Sequence, residues 1–151
     1  MSVAGFDHVS LPMRETDAMI AFYRALGFDV DEQKAVVAVR AGANMINFHR
    51  PELWPRPAFT LRAPAAVPPC GDICFVWDGA AESLHARLER AGAGVEEGPV
   101  PRIGARRAEA TSVYVRDPDG NLLEFMIYGG DSEATGGERS VGPTHRHGEG
   151  S

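Results

Sequence analysis

Phe6-Asp7-His8-Val9-Ser10-Leu11 alternates in polarity and predicts a strand, and Asp17–Leu26 (DAMIAFYRAL) follows it with Met19, Ile20, Phe22, Tyr23 and Leu26 at helical spacing. Gly27 stops that helix, and three short β-rich runs come next: Phe28–Asp31, Ala35–Arg40 and Asn44–His49. The order is β-α-β-β-β. Asp72–Trp77 begins the same order again, with Ile73, Phe75 and Trp77 on one face. A helix over Ala80–Ala91 carries Leu84 and Leu88 four apart and ends at Gly92. Strands are then expected near Val95, at Thr111–Arg116 and at Asn121–Tyr128, with Pro118-Asp119-Gly120 supplying the turn between the last two. His8 precedes Gly27 by 19 positions and Asp72 precedes Gly92 by 20. That match in order and spacing predicts an α+β fold built of two tandem βαβββ modules.

The repeat sets the expected boundaries. Module one covers 5–49 and module two 71–128, within a single domain over 1–128. The linker over 50–70 carries Pro51, Pro55, Pro57, Pro64, Pro68 and Pro69, too many for a continuous helix or a central strand. Its Trp54 and Phe59 serve either a ligand or simple packing. Residues 129–151 are nearly devoid of apolar side chains and are expected to form a disordered tail, His145 and His147 included. A net charge of −6 argues against nucleic acid or an anionic membrane surface as partner. No apolar run approaches the roughly 20 residues of a bilayer span, and the N-terminus does not read as a signal peptide, so the expected location is cytoplasmic. Cys70 and Cys74, if extended, lie about 13 Å apart, beyond disulfide reach, and read as two reduced thiols in or beside a strand.

Strand alternation sorts the polar residues. Val9 and Leu11 share one face of the first strand, His8 and Ser10 the other; Asp72 occupies the place of His8 in module two. Asn47 and His49 point opposite to Ile46 and Phe48. Glu124 stands between Leu122 and Met126, opposite Leu123 and Phe125, where an acid is costly unless paired or bound to a metal. His8, His49, Asp72 and Glu124 therefore come from equivalent edges of two related modules, and a pseudo-twofold pairing would let them converge. Two histidines with carboxylates and no thiolate suit Zn, Ni, Co, Fe(II) or Mn.

Three stretches carry a resemblance: FDHVSL at the start, AFYRALGF in the first helix and SVYVRDPDGNLLEFMIY at the end. They resemble the vicinal oxygen chelate superfamily, which includes glyoxalase I, bleomycin-resistance proteins and extradiol dioxygenases. NMINFH, GDICF and EEGPVPRIGA look most like its glyoxalase-domain members labelled virulence proteins. The resemblance implies paired modules forming a curved mixed sheet around a divalent metal, usually in a homodimer. It places His8 at the first-strand ligand and Glu124 at the last-strand ligand. Asp72 falls where many members carry histidine, and either Asn47 or His49 aligns with the remaining ligand, His49 being preferred for its imidazole.

The implied function is that of a metal-dependent glyoxalase- or lyase-like enzyme whose small-molecule substrate chelates the ion through vicinal oxygens. Glu124, or Asp72 if it is off the metal, is then the proton-transfer group. An extradiol-type dioxygenase is an alternative, with Tyr114 matching the end of that motif, but Ala105-Arg106-Arg107 stand where its acid–base histidine belongs. A non-enzymatic, bleomycin-resistance-like binder is another, against which the retained His8, His49 and Glu124 speak. Arg102, Arg106 and Arg107 form a basic cluster that is either an anion-binding set or a solvated loop.

Overall fold

The computed structural model describes residues 1–129, so the tail reading and its histidines lie outside the described residues apart from Gly129. The described chain forms β1 (His8–Pro12), α1 (Thr16–Leu26), β2 (Asp29–Glu32), β3 (Val36–Ala41) and β4 (Asn44–His49). It then repeats the order as β5 (Asp72–Val76), α2 (Ala81–Arg90), β6 (Glu97–Ile103), β7 (Glu109–Arg116) and β8 (Leu122–Tyr128). Each module is one four-stranded mixed sheet, ordered β1-β4-β3-β2 and β5-β8-β7-β6. In both, the first strand lies parallel beside the last and forms an open edge. No described helix is long and apolar enough to cross a membrane.

The inner faces of the two sheets share one core with the helices. Met19, Ile20, Phe22, Tyr23 and Leu26 of α1 meet Val37, Val39, Ile46 and Phe48 of the first sheet. Leu84 and Leu88 of α2 join Val113, Val115, Leu123 and Phe125 of the second. Phe28 bridges the modules, its ring 4.9 Å from that of Phe75. Burying side chains of this size stabilises the fold by roughly 1.5–3 kcal/mol each.

The sequence predicts a strand near Val95, whereas the strand runs over Glu97–Ile103. Pro99 and Pro101 are tolerated because β6 is an edge, where a missing N–H costs no ladder bond. The register shifts between Glu97 and Val100. Gly98 sits at that bulge with φ +108°, and a Cβ there would stand 2.5 Å from the Ser112 carbonyl oxygen.

The Asp117-Pro118-Asp119-Gly120-Asn121 segment is more than a turn. Asp117 Oδ1 accepts the backbone N–H groups of Asp119, Gly120 and Asn121, and Oδ2 accepts Tyr23 Oη–H and Asn121 Nδ2–H. Asp119 accepts the N–H groups of Arg14 and Glu15 just before α1, and Asn121 Oδ1 accepts those of Cys70 and Gly71 at the linker's end. One loop of module two thereby fastens the entry of α1, the middle of α1 and the start of β5. Burial pushes the Asp117 carboxyl above its ordinary range, while the hydrogen bonds from Asn121 and Tyr23 pull it back.

Candidate functional site

The chemistry-bearing residues sit on the outer faces, each on the far side of its sheet from the shared core. On the second sheet, register aligns Cys74, Glu124, Tyr114 and Glu97 in one row across β5, β8, β7 and β6. Asp72 lies in the next row, beside Leu122 and Arg116. Glu124 Oε1 is buried and has no hydrogen-bond partner among the described residues. A carboxylate oxygen in that state is costly unless something positive meets it.

On the first sheet, His8 aligns with Met45 and Arg40, and Ser10 with Asn47 and Ala38. His8 Nδ1 lies 2.6 Å from Asp7 Oδ1, a contact that favours the ring proton on Nδ1 and leaves Nε2 as the acceptor nitrogen. A carboxylate on the second ring nitrogen is the usual support of a metal-binding histidine. His49 is aligned with Pro12 and Val36, four residues along from the His8 row, or about 13 Å of strand. Its ring packs 5.1 Å from that of Phe59, and burial, then the Arg62 guanidinium, lower its pKa. By register the counterpart of Glu124 is Asn47, and that of His49 is Met126. Trp54 donates its indole N–H to the Met13 carbonyl, 2.9 Å away, and Arg62 lies over its ring.

His8 and His49 therefore stand on one sheet, Asp72 and Glu124 on the other. Among the described residues no three histidine, cysteine or acidic side chains of one chain are arranged so as to hold a metal ion. The four residues expected to converge thus divide between two sheets whose inner faces share a core. The edge strands β1 and β5, each unpaired on its outer side, border an apolar cleft of about 720 Å³ lined by Phe6, His8, Val9, Phe28, Phe75 and Trp77.

Cys74 went unremarked in the sequence reading beyond its reduced state. It lies beside Glu124, and its thiol is pushed up to about 12 by burial first and then by the carboxylates of Glu124 and Asp72. It stays a protonated thiol at neutral pH and is no metal-ready thiolate. Alkylation of Cys74 by iodoacetamide at pH 8, followed by peptide mass spectrometry, is expected to run at least about 100-fold slower than for an ordinary cysteine. Ordinary labelling kinetics would contradict this environment.

Two βαβββ modules, with a histidine on the first strand of one and a half-buried glutamate on the last strand of the other, define a paired-module class of proteins. The chain belongs to the Glyoxalase/Bleomycin resistance protein/Dioxygenase superfamily, whose family model matches residues 5–125. Virulence protein STM3117 of Salmonella typhimurium is 34% identical over 133 residues, covering 85% of this chain and 87% of that protein. Its crystal structure superposes with a TM-score of 0.73, covering 85% of this chain and 99% of that one. Glyoxalase domain-containing protein RDO1 of Mycosarcoma maydis is 34% identical over 129 residues, with 85% and 70% covered. An integron cassette protein from V. Cholerae shares 31% identity at a TM-score of 0.74, with 85% and 98% covered.

Proposed function

We propose that this protein is a metal-dependent, glyoxalase- or lyase-like enzyme acting on a small substrate through vicinal oxygens, with its site completed by a second copy of the chain. The observation that carries the reading is Glu124: a buried, unpartnered carboxylate oxygen on an outer sheet face calls for a cation. The donors present fit a borderline divalent ion: Glu124 and Asp72 from one sheet, and His8 with its Nδ1 held by Asp7 from the other. His49 and Asn47 remain the candidates for a further ligand. Pairing the β1 edge of one copy with the β5 edge of another would satisfy both open edges and set a His8 face against a Glu124 face. The half-exposed Val9 and Val76 on those edges would be covered by the same step.

A divalent ion bound there would supply Lewis acidity to the two neighbouring substrate oxygens as negative charge builds on them. Glu124 would take a proton from the carbon beside a carbonyl at a carboxylate oxygen and return it one carbon over, with Asp72 next in line for that task. His8, with Nδ1 engaged by Asp7, would offer Nε2 to the ion and take no part in the proton transfer. Tyr114, directly across from Glu124, would orient the carboxylate or the substrate.

The test is metal content by mass spectrometry on protein ending after Tyr128, which removes the tail histidines, beside its His8→Ala variant. About one transition-metal ion per chain, lost in the variant, is expected. Failure to retain or bind metal on titration would overturn the enzyme reading. The apolar cleft between the edge strands favours a second reading for that outcome, a ligand-sequestering protein.

A further inference from the structure

We infer that Arg102 and Arg106 form an anion subsite beside Glu124, so that the substrate carries a carboxylate or phospho group besides the oxygens presented to Glu124. The inference deepens the proposed function and rests on it only for the word substrate. Edge strand β6 puts Arg102 on the outer face opposite Ala110. From there its Nε donates to Tyr114 Oη at 2.9 Å, spanning the Ser112 row between them. Tyr114 is the residue directly across from Glu124, which brings the guanidinium to the edge of the candidate site. Arg102 Nη1 donates to the Pro101 carbonyl, and its other N–H groups meet no protein acceptor among the described residues.

Arg106 reaches the same face from the loop after β6. Its guanidinium carbon lies 4.5 Å from the centre of the Tyr128 ring, and its backbone N–H donates to Tyr128 Oη. Gly104 seats that loop flush, since a Cβ there would stand 2.5 Å from Met126 Sδ and run into the Tyr128 hydroxyl. Ser112 Oγ, fully buried on this outer face between Ala110 and Tyr114, has no hydrogen-bond partner among the described residues.

Arg24, Arg40, Arg50 and Arg116 each take a carboxylate within 4.0 Å; Arg14, Arg56, Arg62, Arg87, Arg90 and Arg107 take none among the described residues, and neither do Arg102 and Arg106. Both are instead laid against a tyrosine, which fixes the planar fork while leaving N–H groups to offer. A guanidinium so held is suited to bidentate recognition of a carboxylate or phospho group. Arg107 differs: at φ 57° its N–H closes the turn onto the Gly104 carbonyl, and it lies against no ring among the described residues.

The experiment is an NMR titration of metal-free, full-length, isotope-labelled protein with methylphosphonate and, separately, acetate at constant ionic strength, following the arginine Nε–H signals. The Arg102 and Arg106 signals are expected to shift and saturate, while that of Arg107 drifts without saturating. Arg102→Gln is expected to weaken binding by about tenfold or more, with Arg106→Gln as the second variant. The tighter of the two probes names the anionic group. Absence of saturation in the unaltered protein, or an Arg102→Gln curve that superimposes on it, would overturn the subsite. No metal enters the assay, so the subsite and the metal centre stand or fall separately.

Discussion

Asp117→Asn is expected to lower folding stability by about 3–5 kcal/mol, although it removes a charge from a site only 4% exposed. The reason is donor arithmetic. Both carboxylate oxygens act only as acceptors: three backbone N–H groups converge on Oδ1, and the Tyr23 hydroxyl and Asn121 amide converge on Oδ2. Asparagine keeps one acceptor and turns an NH₂ toward donors that have nowhere else to go. In either flip at least two buried donors lose their partner, and the loss propagates through Asn121 to the N–H groups of Cys70 and Gly71. Tyr23→Phe removes a single bond from the same carboxylate and should cost only about 1–2 kcal/mol. Urea denaturation of the three proteins checks the order. An Asp117→Asn protein within about 1 kcal/mol of the parent would show that the network does not hold the modules together.

Much of this fold is legible in the sequence because both modules obey simple periodicity. α1 shows its buried face as Met19, Ile20, Phe22, Tyr23 and Leu26, and β4 runs over Asn44–His49 as its alternation predicts. β6 is not legible, because Pro99 and Pro101 argue against a strand unless it is known to be an edge. Edge status is a property of the sheet and of no local stretch. The same limit applies to the site. Alternation alone puts Glu124 on the outer face, and the pairing register shows that its symmetry mate is Asn47, with His49 one row further on. Which faces meet depends on how the modules pack: His8 and Glu124 lie on different sheets, and these sheets share a core that includes Phe75, Tyr23 and Leu88. Asp117 illustrates the converse: Pro-Asp-Gly announces a turn, and residues 119–121 supply four of the five hydrogen-bond donors, but the fifth, Tyr23, comes from the other module and no local stretch announces it.

Co-production of His8→Ala and Glu124→Gln chains is expected to restore metal binding and activity that each variant lacks alone. In the proposed arrangement each site draws one face from each copy, so each altered homodimer would have every site damaged. In a mixed dimer one site combines the altered His8 face with the altered Glu124 face, and the other combines two intact faces. Random association makes half the dimers mixed, so about a quarter of all sites should be whole, and bound metal should recover to about that fraction. Sites contained within one chain would recover nothing on mixing, because every chain carries one lesion. The isosteric Glu124→Gln change keeps the shape of β8 while replacing the orphaned oxygen's charge, so its effect should fall on metal and leave the fold within about 1 kcal/mol. His8 is half exposed, and its removal takes away no core contact. Metal counting on the two variants, separately and after co-production, thus tests two claims at once. Loss in each single variant assigns the ligands, and recovery in the mixture assigns them to different copies. Metal retained at full stoichiometry by either single variant would remove that residue from the centre, and loss without recovery would place the whole site in one chain.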